Sequence, residues 1–61
     1  MAIETRVAQK EKLFGLLIVQ KALNQKGVTE RELERPIDYA EAAMEAEDVA
    51  YVRDKVAKAV I

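Results

Sequence analysis

Leu13-Phe14-Gly15-Leu16-Leu17-Ile18-Val19 decides the fold. Six of these seven residues are large and apolar, and they lie inside an otherwise amphipathic helical segment. At 3.6 residues per turn, six such neighbours point in nearly every direction around a helix. Outward from this stretch, the helical pattern runs from about Glu4 to Lys26. Ile3, Val7, Phe14, Ile18 and Ala22 fall along one stripe, while Leu13, Leu16, Leu17 and Leu23 form a second surface that Val19 extends. Two apolar surfaces on one helix require two packing partners. The rest of the chain supplies one. Fully burying each further leucine or isoleucine is worth roughly 1.5–3 kcal/mol, a large share of a small domain's stability, so the second surface implies a second chain. Leu13, Leu16, Leu17, Val19 and Leu23 are the residues expected at that contact. Gly15 costs about 1 kcal/mol relative to alanine in a helix. It marks either a local irregularity or a point where a neighbouring helix comes close.

The helix has a readable stop. Gly27 suits the left-handed position just past a helix end, and Lys21 and Lys26 bring positive charge to the negative end of the dipole. A start signal follows in Gly27-Val28-Thr29-Glu30-Arg31-Glu32-Leu33. Thr29 and Glu32 have the spacing of a capping box, and Val28 and Leu33 that of a hydrophobic staple. Pro36 disfavours helical conformation at Arg35, so a short helix is expected to end near Glu34. Asp38 and Glu41 then offer a second capping pair, with Ile37 as its staple residue. From Tyr39 to Ile61 there is no glycine or proline. Tyr39, Ala42, Ala46, Val49, Val56 and Val60 keep a helical stripe, interrupted by Arg53 and broadened by Ala43, Ala50, Val52, Ala57 and Ala59. This reads as one helix of about 20 residues, roughly 30 Å long. The alternative is a break near Glu47-Asp48, with Asp48 capping a separate final helix.

The expected fold is therefore all-α: a helical hairpin of two long helices with a short helical corner between them, completing a helix bundle by oligomerisation. A monomeric three-helix bundle is the alternative. The alanine-rich second arm allows close helix approach but supplies little volume, whereas two copies of such a hairpin make a well-packed four-helix bundle.

Composition agrees. The 61 residues allow a single small domain over 1–61, near the lower limit for independent folding. With no cysteine there is no disulfide framework and no thiolate metal site. Charged residues are 34% of the chain, but abundant aliphatic residues separate it from disordered compositions. The net charge of −1 conceals an asymmetry. Residues 1–27 carry five basic and two acidic groups, a balance of +3, and residues 28–61 carry five basic and nine acidic groups, a balance of −4. The simplest consequence is attraction between the halves, within a chain or between chains. Lys10 and Lys12 precede an apolar stretch too short for a signal peptide or a membrane span, so no membrane is expected and the cytoplasm is the default location.

The chain contains no histidine, cysteine, serine or tryptophan. Nucleophilic triads and the usual neutral-pH base are absent, so no enzymatic activity and no catalytic residues are expected. Asp38, Glu41, Glu45 and Asp48 follow at intervals of three, four and three, lining one face of the second arm. Di-iron carboxylate bundles need histidines beside their glutamates, and calcium or magnesium sites want a compact loop or a substrate phosphate. A solvated acidic face, or one that docks on basic side chains, is the simpler reading. No metal and no cofactor are expected.

Leu23 through Leu33 resembles in outline the turn of a DNA-binding helix-turn-helix. The match fails where Glu30, Glu32 and Glu34 would face phosphate and where Pro36 cuts the recognition helix short. Tyr39 and Tyr51, twelve apart, suit the core or an interface rim. The function expected from the residues is a small non-catalytic interaction module, acting as a homo-oligomer or as an accessory or regulatory subunit of a larger complex. Its partner is a protein, the chain itself or a larger subunit. The alternative is a nucleic-acid-binding regulator using Lys10, Lys12, Lys21 and Lys26 on the basic first helix.

Overall fold

The computed structural model describes residues 3–60. The chain is all-helical among these residues, with three helices packing together. Helix α1 spans Ile3–Gln25, a 3-10 turn covers Arg31–Leu33, α2 spans Glu34–Ala42 and α3 spans Ala46–Lys58. Ile3 opens α1, and its side chain lies outside the described residues, as do Met1, Ala2 and Ile61.

The stop of α1 forms as its sequence implies. Gly27 adopts φ +79°, the left-handed region that a Cβ disfavours. Its N–H donates to the Asn24 carbonyl at 3.0 Å, and the Val28 N–H donates to the Leu23 carbonyl at 2.9 Å. This paired arrangement satisfies carbonyls that the helix end would otherwise orphan.

The corner departs from expectation. The Thr29–Glu32 capping box gives way to Glu30, whose carboxylate accepts from the Glu32 N–H at 3.4 Å. The chain enters a 3-10 turn at Arg31, one residue later than a box on Thr29 requires, which moves the cap along by one. Val28 stays exposed while Leu33 packs against the core, so the expected staple does not close over the corner. Pro36 does not end a helix. It sits in the first turn of α2, where its missing N–H is one of those without an intrahelical acceptor. Asp38 accordingly lies inside α2 rather than at a cap.

The second arm is two helices, not one. Ala43, Met44 and Glu45 separate α2 from α3, earlier than the alternative break at Glu47-Asp48, and Glu45 is the extended N-cap residue with φ −67° and ψ 144°. No strong helix breaker stands there. The break follows from packing: Ile37 and Ala40 of α2 and Val52 and Val56 of α3 all bury themselves with Leu13 and Leu17 of α1. On a straight rod Ile37 and Val56 would lie about 28 Å apart and could not both reach Leu13 and Leu17, so the chain reverses at Met44, which packs partly into the core. Helix α3 consequently runs in the same direction as α1: Arg6 meets Asp48 near the start of both, and Lys21 meets Val56 near the end of both. The body measures 38 × 23 × 16 Å, with α2 and α3 packed on the leucine side of α1.

Candidate interaction surface

The residues expected at an intermolecular contact divide between inside and outside. Leu13 and Leu17 are a correction: both are buried in the chain's own core, Leu13 completely. They lie four apart, one turn along the face of α1 that meets α2 and α3 together. Leu16 is partly buried against that core and Leu23 is partly buried near the end of α1. Val19 alone of the five is substantially exposed, at 49%.

Two charged residues frame the inner face. Arg6 makes a two-pronged contact with Asp48, Nε to Oδ2 and Nη2 to Oδ1, both at 2.9 Å, and Nη2 also donates to Glu47 at 3.0 Å. Asp48 is the only charged side chain among the buried described residues. The hydrogen bond from Arg6 holds its carboxyl below the usual carboxylate range, against the opposing effect of desolvation. In return Asp48, and then Glu47, hold the Arg6 guanidinium still more firmly in its charged form. At the other end Lys21 Nζ donates to the carbonyls of Val56 at 2.7 Å and Ala59 at 2.8 Å. Lys21 therefore neutralises the negative end of α3, not of its own helix. Of the five cations in residues 1–27, Arg6 is thereby paired with carboxylates of the second half and Lys21 with its carbonyls.

The expected acidic face is divided. Asp38 and Glu41 belong to α2, Glu45 caps α3, and Asp48 turns to Arg6. Arg53 Nε donates to Glu41 at 2.6 Å across the α2–α3 groove. Among the described residues no three acidic side chains converge as a metal site would need. Gln9 Nε2 reaches the Ala43 carbonyl at 3.3 Å and steadies the corner between α2 and α3.

What stays open is part of the other stripe of α1, since Ile18 packs against the core and Ala22 is partly buried. Val7 is 44% exposed and Phe14 36% exposed, and with Tyr51 of α3, at 52%, they line a groove of about 390 Å³. Val52 forms its floor, and Lys10, Glu11 and Lys55 stand along its rim. Tyr51 lies between two cations, with Lys10 Nζ at 5.4 Å and Lys55 Nζ at 5.1 Å from its ring centroid. Such contacts fix the ring orientation and are worth about 0.5–1 kcal/mol each at exposed sites. Tyr39, on α2 and therefore not on one helix with Tyr51, projects into solvent.

Leu13 and Leu17 thus turn inward while Val7 and Phe14 turn outward. The signal that separates them is present in the sequence: Arg6, Leu13, Leu17 and Lys21 recur at seven, four and four, so the inner leucines share a face with the two cations that α3 satisfies. Among the described residues no helix is long and apolar enough to cross a membrane. No protein-family model, curated protein or solved structure matches this chain.

Proposed function

We infer that this chain is a small non-catalytic interaction module of the cytoplasm, acting as a homo-oligomer or as an accessory subunit of a larger complex. Its working surface is the α1–α3 groove rather than the leucines of the inner face. The carrying observation is the open trio Val7, Phe14 and Tyr51 beside a core already closed by Leu13, Leu17, Val52 and Val56. Aromatic side chains that are rigid, partly exposed and rimmed by charge are the usual anchors of protein interfaces. The nucleic-acid reading is weakened by the use of Lys21 on α3 carbonyls and of Lys10 on the Tyr51 ring.

Solution mass by light scattering, on the wild type and on Phe14→Glu, tests the assignment. The wild type should exceed its 6.9 kDa monomer mass, and the variant should approach it while keeping its helical signal. A wild type that stays monomeric at millimolar concentration, with Phe14→Glu indistinguishable from it, overturns the homo-oligomer and leaves the accessory subunit.

A further inference from the structure

We propose that α3 of this chain exchanges with α3 of a second copy. Each α3 then packs on the other copy's α1, while α2 and α3 of one chain straighten into a single helix. The inference goes beyond the groove and does not depend on it, because it concerns the inner face of α1. It starts at the break between α2 and α3. Ala43, Met44, Glu45 and Ala46 are all good helix formers, with no glycine, proline or left-handed residue among them. Glu45 caps α3 without a side-chain hydrogen bond, at a position that favours Ser, Thr, Asp or Asn. Among the described residues only Gln9 donates a side-chain hydrogen bond to this turn. Its Nε2 reaches the Ala43 carbonyl at 3.3 Å, and its buried Oε1 has no partner. Ala43 already lies in the right-handed helical region and Glu45 is extended at ψ 144°, so straightening is confined to Met44 and Glu45. It makes one helix of about 25 residues, roughly 37 Å long, and gives the orphaned backbone groups on both sides of the break intrahelical partners.

The contacts of the closed chain select the occupant. Helix α2 begins beyond the end of α1 and finishes with Ala43 beside Gln9, so it runs against α1, whereas α3 runs with it. Straightening therefore reverses α3 by about half a turn, which is the rotation a two-fold axis performs. The α3 of the second copy, brought in by that rotation, takes the place that the first has left. Every contact of α3 with α1 and α2 then forms again between chains. Val52 and Val56 cover Leu13 and Leu17, Asp48 accepts from Arg6, the end of α3 receives Lys21, and Arg53 meets Glu41. No new complementarity is needed, because the second copy carries the same residues in the same register. The exchanged dimer gains the helical turn at residues 43–46 and loses the Gln9 contact, the packing of Met44 and the freedom of two separate chains. High chain concentration shifts this balance to the dimer by mass action. Either form reaches the other only after α3 leaves α1, an opening close to global, so exchange is slow where association at the groove is fast.

Complementary charge variants of the whole chain test the exchange. Arg6→Asp alone sets a carboxylate against Asp48 and Glu47, and Asp48→Arg alone sets two guanidinium groups together. Each closed chain should melt about 10 °C or more below wild type. Refolded together from denaturant at millimolar concentration, the two should form a heterodimer of twice the monomer mass that melts within a few degrees of wild type. Only exchange restores both ion pairs: one half of the heterodimer holds the reversed pair and the other the native pair. If neither variant folds alone, the gain of helical signal on mixing is the readout. Wild type refolded in the same way should give a dimer that reverts to monomer no faster than the chain unfolds. Ala46→Pro tests the hinge. Glu45 is already extended and Ala46 is the first residue of α3, so proline fits the closed chain and should leave its melting temperature equal or a few degrees higher. Inside a fused helix the ring clashes with the carbonyl four residues back. Placed in both charge variants, Ala46→Pro should abolish the recovery. A mixture with the mass and melting of its separate components, a wild type without the slow dimer, or a recovery that survives Ala46→Pro each overturn the proposal. Phe14→Glu keeps the two readings apart. Recovery of the mixture with no effect of Phe14→Glu on wild-type mass retains the exchange and removes association at the groove, and the converse retains the groove and removes the exchange.

Discussion

Leu13 and Leu17 on one side of α1 are sealed by Ile37, Ala40, Val52 and Val56, whereas Val7 and Phe14, about a quarter turn around the same helix, stand open beside Tyr51. Both sides are strongly apolar, so hydrophobicity did not choose between them. The choice follows from what else each side carries. The inner side places Arg6 before the leucines and Lys21 after them, and α3 offers a buried Asp48 to the first and its terminal carbonyls to the second. The outer side carries Lys10 and Glu11 next to each other, a pair that no carboxylate or carbonyl of α3 answers in the same way. Helices α2 and α3 contribute mainly alanine and valine and are both spent on the leucine side. A short chain with one strongly apolar helix and two thin ones can close one face well, not two.

Truncation on each side should therefore produce opposite phenotypes. Leu13→Ala removes a completely buried side chain, and such truncations cost about 2–5 kcal/mol. For a chain of this length the entire stability is of that order, about 3–9 kcal/mol. Chemical denaturation should find the variant largely unfolded. Phe14→Ala should leave the melting temperature of the monomer within a few degrees while reducing association. If Phe14→Ala proves as destabilising as Leu13→Ala at a dilution where only monomer exists, the two sides are not the different regions described here.

The ionic clamp on the inner side sharpens the contrast through pH. The Asp48 carboxyl has a lowered pKa in the folded chain, mainly through its hydrogen bonds from Arg6. In the unfolded chain it returns to the ordinary value of about 3.9. A carboxylate whose folded pKa is depressed contributes stability that is fully present above about pH 4 and is lost as pH falls through the lower, folded value. Thermal melts of the wild type should show a decline in that acid window that Asp48→Asn lacks, on top of whatever the other carboxylates contribute. The variant should also melt lower at neutral pH, because it leaves Arg6 with Glu47 alone. Parallel pH profiles for the two proteins would remove Asp48 from the clamp.

The same contrast explains what was legible in the sequence. The stop at Gly27 was, because a left-handed residue with its two hydrogen bonds is a local device. The all-helical class was, because alanine, glutamate, lysine and leucine favour helix at every level. Pro36 pointed the wrong way, since a proline marks a helix start as readily as a helix end and only the following packing distinguishes them. The break at Ala43-Met44-Glu45 left no local mark, because three good helix formers yield there to the burial of Ile37 and Val52 on one helix. The candidate surface was half legible: Val7 and Phe14 were visible as a stripe, but which stripe faced outward depended on Arg6 and Lys21 finding partners more than thirty residues away.

The smallest expected effect bears on that outward stripe. Gly15 follows Phe14 in a continuous helix, and a Cβ built on it meets no atom within 4 Å. Its backbone is helical, so Gly15→Ala should raise the melting temperature of the monomer by roughly 4–8 °C, the equivalent of about 1 kcal/mol. Within one chain, then, nothing requires glycine at this position. Association supplies the reason if a neighbouring backbone comes close beside Phe14, for then the added methyl group occupies the space that the second helix needs. A variant that melts higher as a monomer yet dimerises more weakly assigns Gly15 to the crossing point. A variant that melts higher and dimerises as before makes it a local irregularity of α1, and moves the closest approach of any second helix away from that position.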